Sequence, residues 1–174
     1  MLIIFGLPRA GKTMVARELA RQIGAMYLRI DSIEQAIRDS GAVIQPINDA
    51  GYRVGYAIAE DNLRLGRTVI ADSVNPLSLT RDAWVEVAKK AGVSAFEIEV
   101  TCSDPKEHQR RVEARTIDIA GLRPPTWEEV IARQYHSWNR EHLVIDTADC
   151  TVDKCVSMIR DILRNSESLS FPPN

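Results

Sequence analysis

The sequence predicts an α/β fold, a three-layer α/β/α sandwich built around a five-stranded parallel sheet. Strand and helix patterns alternate along the chain, and no linker or repeat separates them. All but the second of the predicted strands are near-continuous apolar runs, as expected where helices cover both faces of a parallel sheet. A glycine-rich loop joins the first strand to the first helix. The predicted strands are Leu2–Phe5, Met26–Ile30, Thr68–Ala71, Ala95–Thr101 and Leu143–Ile145.

Apolar residues at helical spacing predict the helices between these strands. The stripes run over Ala16–Ile23, Trp84–Ala91, Trp127–Trp138 and Val152–Leu163. A further helix is predicted from a cap at Asn48-Asp49 to about Leu65, because Gly66 would stop it there. We therefore expect one domain over residues 1–164, followed by a flexible tail over 165–174 that is rich in Ser and Pro.

The loop after the first predicted strand is a complete G-x-x-x-x-G-K-T motif. Such a P-loop curls its backbone around a phosphate, so that successive N–H groups point into the hollow. Lys12 would add positive charge at the β/γ-phosphates, and the Thr13 hydroxyl would ligate Mg²⁺. The following helix directs its positive end at the same anion. The motif predicts the P-loop NTPase fold, with ATP or GTP and Mg²⁺ bound by Gly6, Leu7, Pro8, Arg9, Ala10, Gly11, Lys12, Thr13 and Met14.

Composition narrows the classes of function. The chain has 174 residues and a net charge of −2, so it lacks the excess of positive charge that is typical of nucleic-acid-binding proteins. It contains no apolar run long enough to cross a bilayer, and the opening residues lack the basic start of a signal peptide. Its cysteines, Cys102, Cys150 and Cys155, form no paired framework. Together these features favour a cytoplasmic protein with reduced thiols.

Two acidic residues end predicted strands, where sites lie in open α/β sheets. Asp31 follows the second strand and either caps a helix together with Glu34 or acts as a general base for an acceptor hydroxyl. Both roles are open to one aspartate, whereas capping is favoured for Glu34. Asp72 ends an apolar run in the Walker-B manner, which predicts a Mg²⁺ or acceptor site; the alternative is a turn cap.

A cluster of arginines precedes a short stretch rich in Gly and Pro. Arg111 and Arg115 are four residues apart and so share a helix face, and Arg123 lies in the stretch that follows. Cations beside a mobile loop suit a lid over a triphosphate, here about residues 116–126, although such a helix is also compatible with a solvated face. The histidines, by contrast, show no catalytic spacing and are expected at the surface.

These residues together resemble the small P-loop kinases, in particular the gluconate kinase, chloramphenicol phosphotransferase and polynucleotide kinase-like group. The resemblance rests on the N-terminal P-loop, Asp31, Asp72 and the Arg111/Arg115 helix. It implies the strand order 2-3-1-4-5 and transfer of the ATP γ-phosphate to an acceptor held by strands two and three. It also implies roles for single residues: Asp31 as base, Arg115 at the phosphates, Arg111 against adenine, and the loop Asp146-Thr147-Ala148 at the base.

Departures from the pattern bear on the acceptor. Glu34 stands where adenylate-type kinases place an arginine for the acceptor's phosphate, which argues against a nucleoside monophosphate. The sequence instead favours a hydroxylated or amine-bearing small molecule, with Arg38, Arg53 and Tyr56 as weak candidate contacts. The alternatives to a small-molecule kinase are a polynucleotide or nucleoside kinase, and a P-loop ATPase or nucleotide switch. No guanine-reading Asn-Lys-x-Asp occurs, which favours ATP over GTP. The identity of the acceptor and the oligomeric state stay open.

Overall fold

A computed structural model describes residues 1–41, 46–114 and 118–168. Five strands form one parallel sheet in the order β2-β3-β1-β4-β5, so the predicted fold class and strand order are confirmed. The strands are β1 Leu2–Phe5, β2 Met26–Arg29, β3 Val69–Asp72, β4 Phe96–Thr101 and β5 Leu143–Asp146. The helices of the described ranges are α1 Lys12–Ile23, α2 Ile30–Asp39, α3 Ala50–Arg64, α4 Ser78–Lys90, α5 Pro105–Glu113, α6 Trp127–Ile131 and α7 Val152–Ser168.

Two apolar cores lie on opposite faces of the sheet. Alternate residues of β1 supply both, because successive side chains of a strand point to opposite faces. Leu2 and Ile4 pack with α1 and α7, whereas Ile3 and Phe5 pack with α3 and α4. All four side chains are at most 3% exposed. The central position of β1 in both cores fixes the start of the loop that follows Phe5.

The predicted helix over Trp127–Trp138 is wrong beyond Ile131, where α6 ends. Tyr135 and Trp138 lie in an irregular segment between α6 and β5. The Trp138 ring stacks on Phe5 at 4.7 Å between ring centroids, and the guanidinium of the fully buried Arg81 lies 4.2 Å from its centre. These long-range aromatic contacts hold the segment extended and override its helical spacing.

The C-terminal end also differs from the prediction. Helix α7 continues to Ser168, so residues 165–168 are helical and do not belong to a frayed tail. The rest of the predicted tail, residues 169–174, lies outside the described residues. Among the helices of the described ranges, none has the length and apolarity that a bilayer span requires.

Candidate active site

A cleft of about 1180 Å³ opens at the carboxyl ends of the strands. One wall is the P-loop and the start of α1, and the opposite wall is the start of α2. This position follows from the parallel sheet, because every strand delivers its following loop to the same edge. Further lining residues come from α5, from the lid segment, defined here as residues 118–126, and from the loop after β5; they include Arg111, Asp118, Leu122, Arg123 and Thr147.

Backbone geometry makes the P-loop a hollow. Gly6 and Gly11 have φ values of 149° and 98°, which side-chain-bearing residues rarely adopt. A Cβ at Gly6 would lie 2.1 Å from the Val100 carbonyl oxygen, and one at Gly11 would lie 3.1 Å from Thr147 Cγ2. Lys12 begins α1 and is 5% exposed. The loop therefore depends on both glycines and presents Lys12 at the helix N-terminus.

Thr13 and Asp72, the predicted metal ligands, meet at the base of the cleft. Thr13 Oγ1 donates a hydrogen bond to Asp72 Oδ2 at 2.8 Å, and Tyr27 Oη donates to the same oxygen at 2.7 Å. Asp72 is 1% exposed, and its Oδ1 has no hydrogen-bond partner. Burial, together with the Asp72 carboxylate, raises the pKa of Tyr27, so this phenol stays a donor.

The orphaned carboxylate oxygen fits a cation. A buried, unpartnered oxygen is costly, and a divalent ion would satisfy it. Within the described ranges no cluster of three or more His, Cys, Asp or Glu residues could hold a metal alone. Thr13 and Asp72 therefore suit Mg²⁺ only as partial ligands, with phosphate oxygens and water completing the shell, as is usual for this ion.

The predicted capping box of Asp31 and Glu34 is absent. Arg29 occupies the N-cap position of α2 and makes no side-chain cap, and Asp31 lies inside the first turn. Asp31 lines the cleft, with its Oδ2 3.7 Å from an Arg29 Nη2. Glu34 also lines the cleft and pairs with Arg38 at 3.3 Å instead of capping the helix. The aspartate is thus free of the capping role, which leaves its carboxylate facing the cleft.

Glu34 is partly desolvated at this position. Burial raises its pKa and so does the Asp31 carboxylate, whereas Arg38 opposes the shift. A Cβ at Gly51 would lie 2.3 Å from Glu34 Cγ, so α3 packs directly behind this side chain. Tyr52, on the same helix, lines the cleft beside it. Two carboxylates and a phenol therefore face the α2 end of the cleft.

Asp118 of the lid segment contacts two arginines of the cleft wall. Its carboxylate accepts from Arg29 Nη1 at 2.9 and 3.0 Å and lies 2.5 Å from Arg17 Nη2. Although burial opposes the shift, these guanidinium groups lower the pKa of Asp118. The side chain of Arg29 is 9% exposed, and its Nε has no partner. The lid segment is thus tied to the strand end that carries Asp31, a contact that charge pattern alone did not indicate.

Arg111 and Thr147, the residues that the resemblance assigns to the nucleotide base, contact each other. Arg111 donates to Thr147 Oγ1 at 2.8 Å and to the Thr147 carbonyl oxygen at 2.9 Å. Thr147 Oγ1 is also 2.7 Å from the carbonyl oxygen of Ala10. Both side chains therefore abut the P-loop, and Met14, 60% exposed, lines the cleft nearby.

The predicted lid cations are placed only in part. Arg123 lines the cleft and pairs with Glu129 at 3.0 Å, with 77% of its side chain exposed. Arg115, and residues 116–117 of the predicted lid over 116–126, lie outside the described residues. The residues predicted as weak acceptor contacts do not line the cleft. Instead, Arg38 pairs with Glu34, Arg53 pairs with Asp49, and Tyr56 packs on Trp84.

The expectation of surface histidines is wrong for His108, which is 6% exposed. Its Nε2 lies 2.8 Å from the carbonyl oxygen of Pro8 in the P-loop, and its ring meets Trp127 edge-on at 5.3 Å. His142 is also largely enclosed, stacked on Trp138 at 3.8 Å. Sequence spacing could not reveal the contact of His108, because about one hundred residues separate it from Pro8.

The loop after β3 is held by another residue that the sequence reading missed. Arg81 is 1% exposed and donates to the carbonyl oxygens of Asn75 and His136 at 3.1 and 2.9 Å. Asn75 has a φ of 51° and is fully buried, and its backbone N–H donates to Tyr52 Oη at 3.1 Å. Arg81 thus fixes the strained loop against which Tyr52 packs at the edge of the cleft.

Comparison with known proteins agrees with this geometry. Residues 1–134 match the family described as an AAA domain. A shikimate kinase of Corynebacterium glutamicum is 26% identical over 156 aligned residues, which cover 80% of this chain and 88% of that one. These matches confirm the resemblance to small P-loop kinases that the motifs suggested.

Solved structures support the fold. The APS kinase of Mycobacterium tuberculosis, in complex with AMPPNP and APS, superposes with a TM-score of 0.71 at 18% identity, covering 94% of this chain and 96% of that one. A gluconokinase from Sinorhizobium meliloti superposes with a TM-score of 0.66 at 16% identity, covering 98% and 97%. At these identities the likeness concerns the arrangement of strands and helices.

Proposed function

The chain belongs to this AAA domain family of P-loop proteins, and from that membership we propose that it transfers the γ-phosphate of ATP to a hydroxyl of a small molecule. The observation that carries the proposal is the composition of a single cleft. The phosphate-binding loop with Lys12, the start of α1 with Thr13, and Asp31 all border the same space, and Thr13 is hydrogen-bonded to the buried Asp72. A nucleotide and an acceptor could therefore meet there. The names of the relatives, shikimate kinase, APS kinase and gluconokinase, support an enzyme of the kinase type.

The proposed reaction is an in-line displacement. The acceptor oxygen attacks the γ-phosphorus as the bond to the bridging oxygen of ADP breaks, and the hydroxyl proton passes to the Asp31 carboxylate. Lys12 stabilises the charge that develops on the β/γ-phosphates. Mg²⁺, when held by Thr13 and Asp72, would neutralise phosphate charge. Arg123, and Arg115 in the same stretch, would serve as lid cations while Arg111 and Thr147 border the nucleotide base.

The acceptor end of the cleft favours a small molecule without a phosphate. Asp31 and Glu34 both border it, and a phosphate placed beside two carboxylates would be repelled. Tyr52 adds a hydroxyl that can bond to an acceptor oxygen or nitrogen. The net charge of −2 gives no support to a nucleic-acid acceptor. The free thiols of Cys102, Cys150 and Cys155 are in keeping with a reducing, cytoplasmic environment.

The proposal is tested by ADP formation from ATP and Mg²⁺ in the presence of pooled acceptors. The pools are polyols and sugar acids, amino sugars, nucleosides, and oligonucleotides with a 5′-hydroxyl. We expect turnover to rise with one small-molecule pool and to stay basal with the oligonucleotides. A rise with oligonucleotides alone would replace the proposal with a polynucleotide kinase. Fast hydrolysis that no pool changes would replace it with an ATPase.

A further inference from the structure

His108 contacts the P-loop but is not among the residues that line the cleft. It belongs to α5 and is 6% exposed, whereas its partner Pro8 lines the cleft. The distance from His108 Nε2 to the Pro8 carbonyl oxygen is 2.8 Å. Because a carbonyl oxygen can only accept, Nε2 carries the proton and donates it. The imidazole therefore holds the Pro8 carbonyl toward α5.

The orientation of this carbonyl determines where the next N–H points. A trans peptide unit is planar, with its C=O and N–H directed to opposite sides. The described residues contain no cis peptide bond, so this applies to the unit that joins Pro8 to Arg9. With the Pro8 carbonyl directed at His108, the Arg9 N–H points to the opposite side of this peptide, and Arg9 is a residue of the cleft lining. Backbone N–H groups aimed into the hollow are what a P-loop uses to bind phosphate.

The same peptide is conformationally strained. Arg9 has a φ of 66°, in the left-handed region, which is unfavourable for a residue with a side chain. Such a conformation persists where the surroundings hold it. Ala10, the residue after Arg9, is held by a contact of its own, since Thr147 Oγ1 lies 2.7 Å from the Ala10 carbonyl oxygen. His108 provides the corresponding anchor at Pro8.

We propose that His108 is a positioning residue for the nucleotide phosphates, which holds the Pro8–Arg9 peptide so that the Arg9 N–H faces the phosphates of a bound nucleoside triphosphate. The inference rests on the nucleotide-binding part of the proposed function and is independent of the acceptor. Trp127 packs edge-on against the imidazole at 5.3 Å and keeps the ring in place. Because Trp127 is the first residue of α6, directly after the lid segment, the contact also joins the lid side of the cleft to the P-loop.

Two substitutions separate the hydrogen bond from the packing. His108→Gln keeps an N–H donor at similar reach, and His108→Phe keeps a ring but removes the donor. We expect His108→Phe to weaken ATP binding about tenfold, in keeping with the loss of one hydrogen bond. His108→Gln should stay within about threefold of the wild type. Adenosine, which has no phosphate to meet the loop, should bind all three proteins equally. Isothermal titration at one salt concentration measures each affinity.

His142→Phe is the matched control, because His142 is another enclosed histidine stacked on an aromatic ring but lies outside the lining of the cleft. It should leave ATP affinity unchanged. Equal ATP affinity in wild type and His108→Phe would overturn the inference, and so would an equal loss of ATP and adenosine binding. A wild type that binds no ATP would overturn the proposed function as well, whereas a wild type that binds ATP without transferring phosphate would leave the His108 result decisive.

A measurement on the wild type avoids any failure of the variants to fold. Nitrogen-15 NMR of the histidine rings distinguishes the two neutral tautomers. We expect His108 to carry its proton on Nε2 both free and with ATP bound. A proton found on Nδ1 with Nε2 bare would contradict the donor role, because a bare nitrogen cannot donate to the Pro8 carbonyl.

Discussion

Tyr27, Thr13 and Asp72 form a site whose parts come from three different elements. The two hydroxyls, on β2 and α1, both donate to Oδ2 of the carboxylate at the end of β3, and Oδ1 is left without a partner. The two donors fix the orientation of the carboxylate and leave the buried Oδ1 available to the proposed Mg²⁺. Tyr27 lacks any sequence motif, and only the adjacency of β2 and β3 in the sheet places it here.

We expect Tyr27→Phe to raise the Mg²⁺ concentration needed for half-maximal activity about tenfold, since a hydrogen bond to a buried carboxylate is among the stronger ones. Titration of turnover with Mg²⁺ at saturating ATP measures the effect. Tyr56→Phe is the control, because Tyr56 bonds to the Thr80 carbonyl oxygen outside the cleft. An unchanged Mg²⁺ requirement in Tyr27→Phe would remove Tyr27 from the metal site.

Asp31 is tested by a substitution that keeps its shape. Asp31→Asn removes the proton acceptor, so we expect phosphoryl transfer to fall by about 10²- to 10⁴-fold while ATP affinity stays within about threefold. Steady-state kinetics and a binding titration separate the two quantities. Asp39→Asn, on the same helix but outside the lining of the cleft, should have the wild-type rate. Wild-type transfer by Asp31→Asn would show that another group takes the proton.

At the scale of elements, the lid segment is joined to two walls of the cleft. Asp118 pairs with Arg17 of α1 and with Arg29 at the end of β2, and a Cβ at Gly121 would lie 2.9 Å from Gln35 Nε2 on α2. The lid therefore rests on the elements that carry Thr13 and Asp31. A lid in this position would exclude water from the transferring phosphate.

We expect Asp118→Ala to increase acceptor-independent ATP hydrolysis about threefold relative to transfer, because the lid loses its charged contact. The effect is modest because the Asp118–Arg17 pair is exposed on both sides, and because Asp31 stays 3.7 Å from Arg29 as a second carboxylate. The ratio of inorganic phosphate to phosphorylated acceptor measures it. Asp161→Ala, which breaks an exposed pair with Arg164 on α7, is the control. A ratio equal to that of the control would contradict the role of Asp118 in closure.

For the molecule as a whole, stability depends on the two cores that flank the sheet. Trp84 of α4 is fully buried in the core with Phe5 and Ile3, whereas Leu79 on the same helix is 75% exposed. Trp84→Ala should lower the free energy of unfolding by about 3–5 kcal/mol, and Leu79→Ala by less than about 0.5 kcal/mol. Urea denaturation at equilibrium compares them. Similar losses for the two variants would mean that this core carries little of the stability.

The features that the sequence predicted well are local ones. Apolar runs revealed the strands, and the P-loop motif predicted the loop between β1 and α1, because both depend on neighbours in the chain. Asp72 was predicted at a strand end and does end β3, whereas Thr147 was expected near the site only through the resemblance to small P-loop kinases. The helical spacing of apolar residues up to Trp138 wrongly predicted a helix there, because the stacking of Trp138 on Phe5 determines the conformation of that segment.

The residues that the sequence did not reveal act through long-range contacts. His108 acts on Pro8, and Asp118 on Arg29, through contacts between residues that are 100 and 89 positions apart. Asp31 followed by Glu34 fits the pattern of a capping box, yet Arg29 takes the N-cap position because β2 runs into α2 without a loop. A short motif is therefore ambiguous where the connection between two elements is shorter than expected.

The measurement that tests the central claim most directly follows the γ-phosphate itself. ATP labelled at its γ-phosphorus is incubated with the protein, Mg²⁺ and the acceptor pool that raises ADP formation, and the label is traced. The account predicts that label appears on the acceptor in a one-to-one ratio with ADP, and that Asp31→Asn abolishes this transfer while still binding ATP. Label found only as inorganic phosphate, released at the same rate with and without every acceptor, would contradict it.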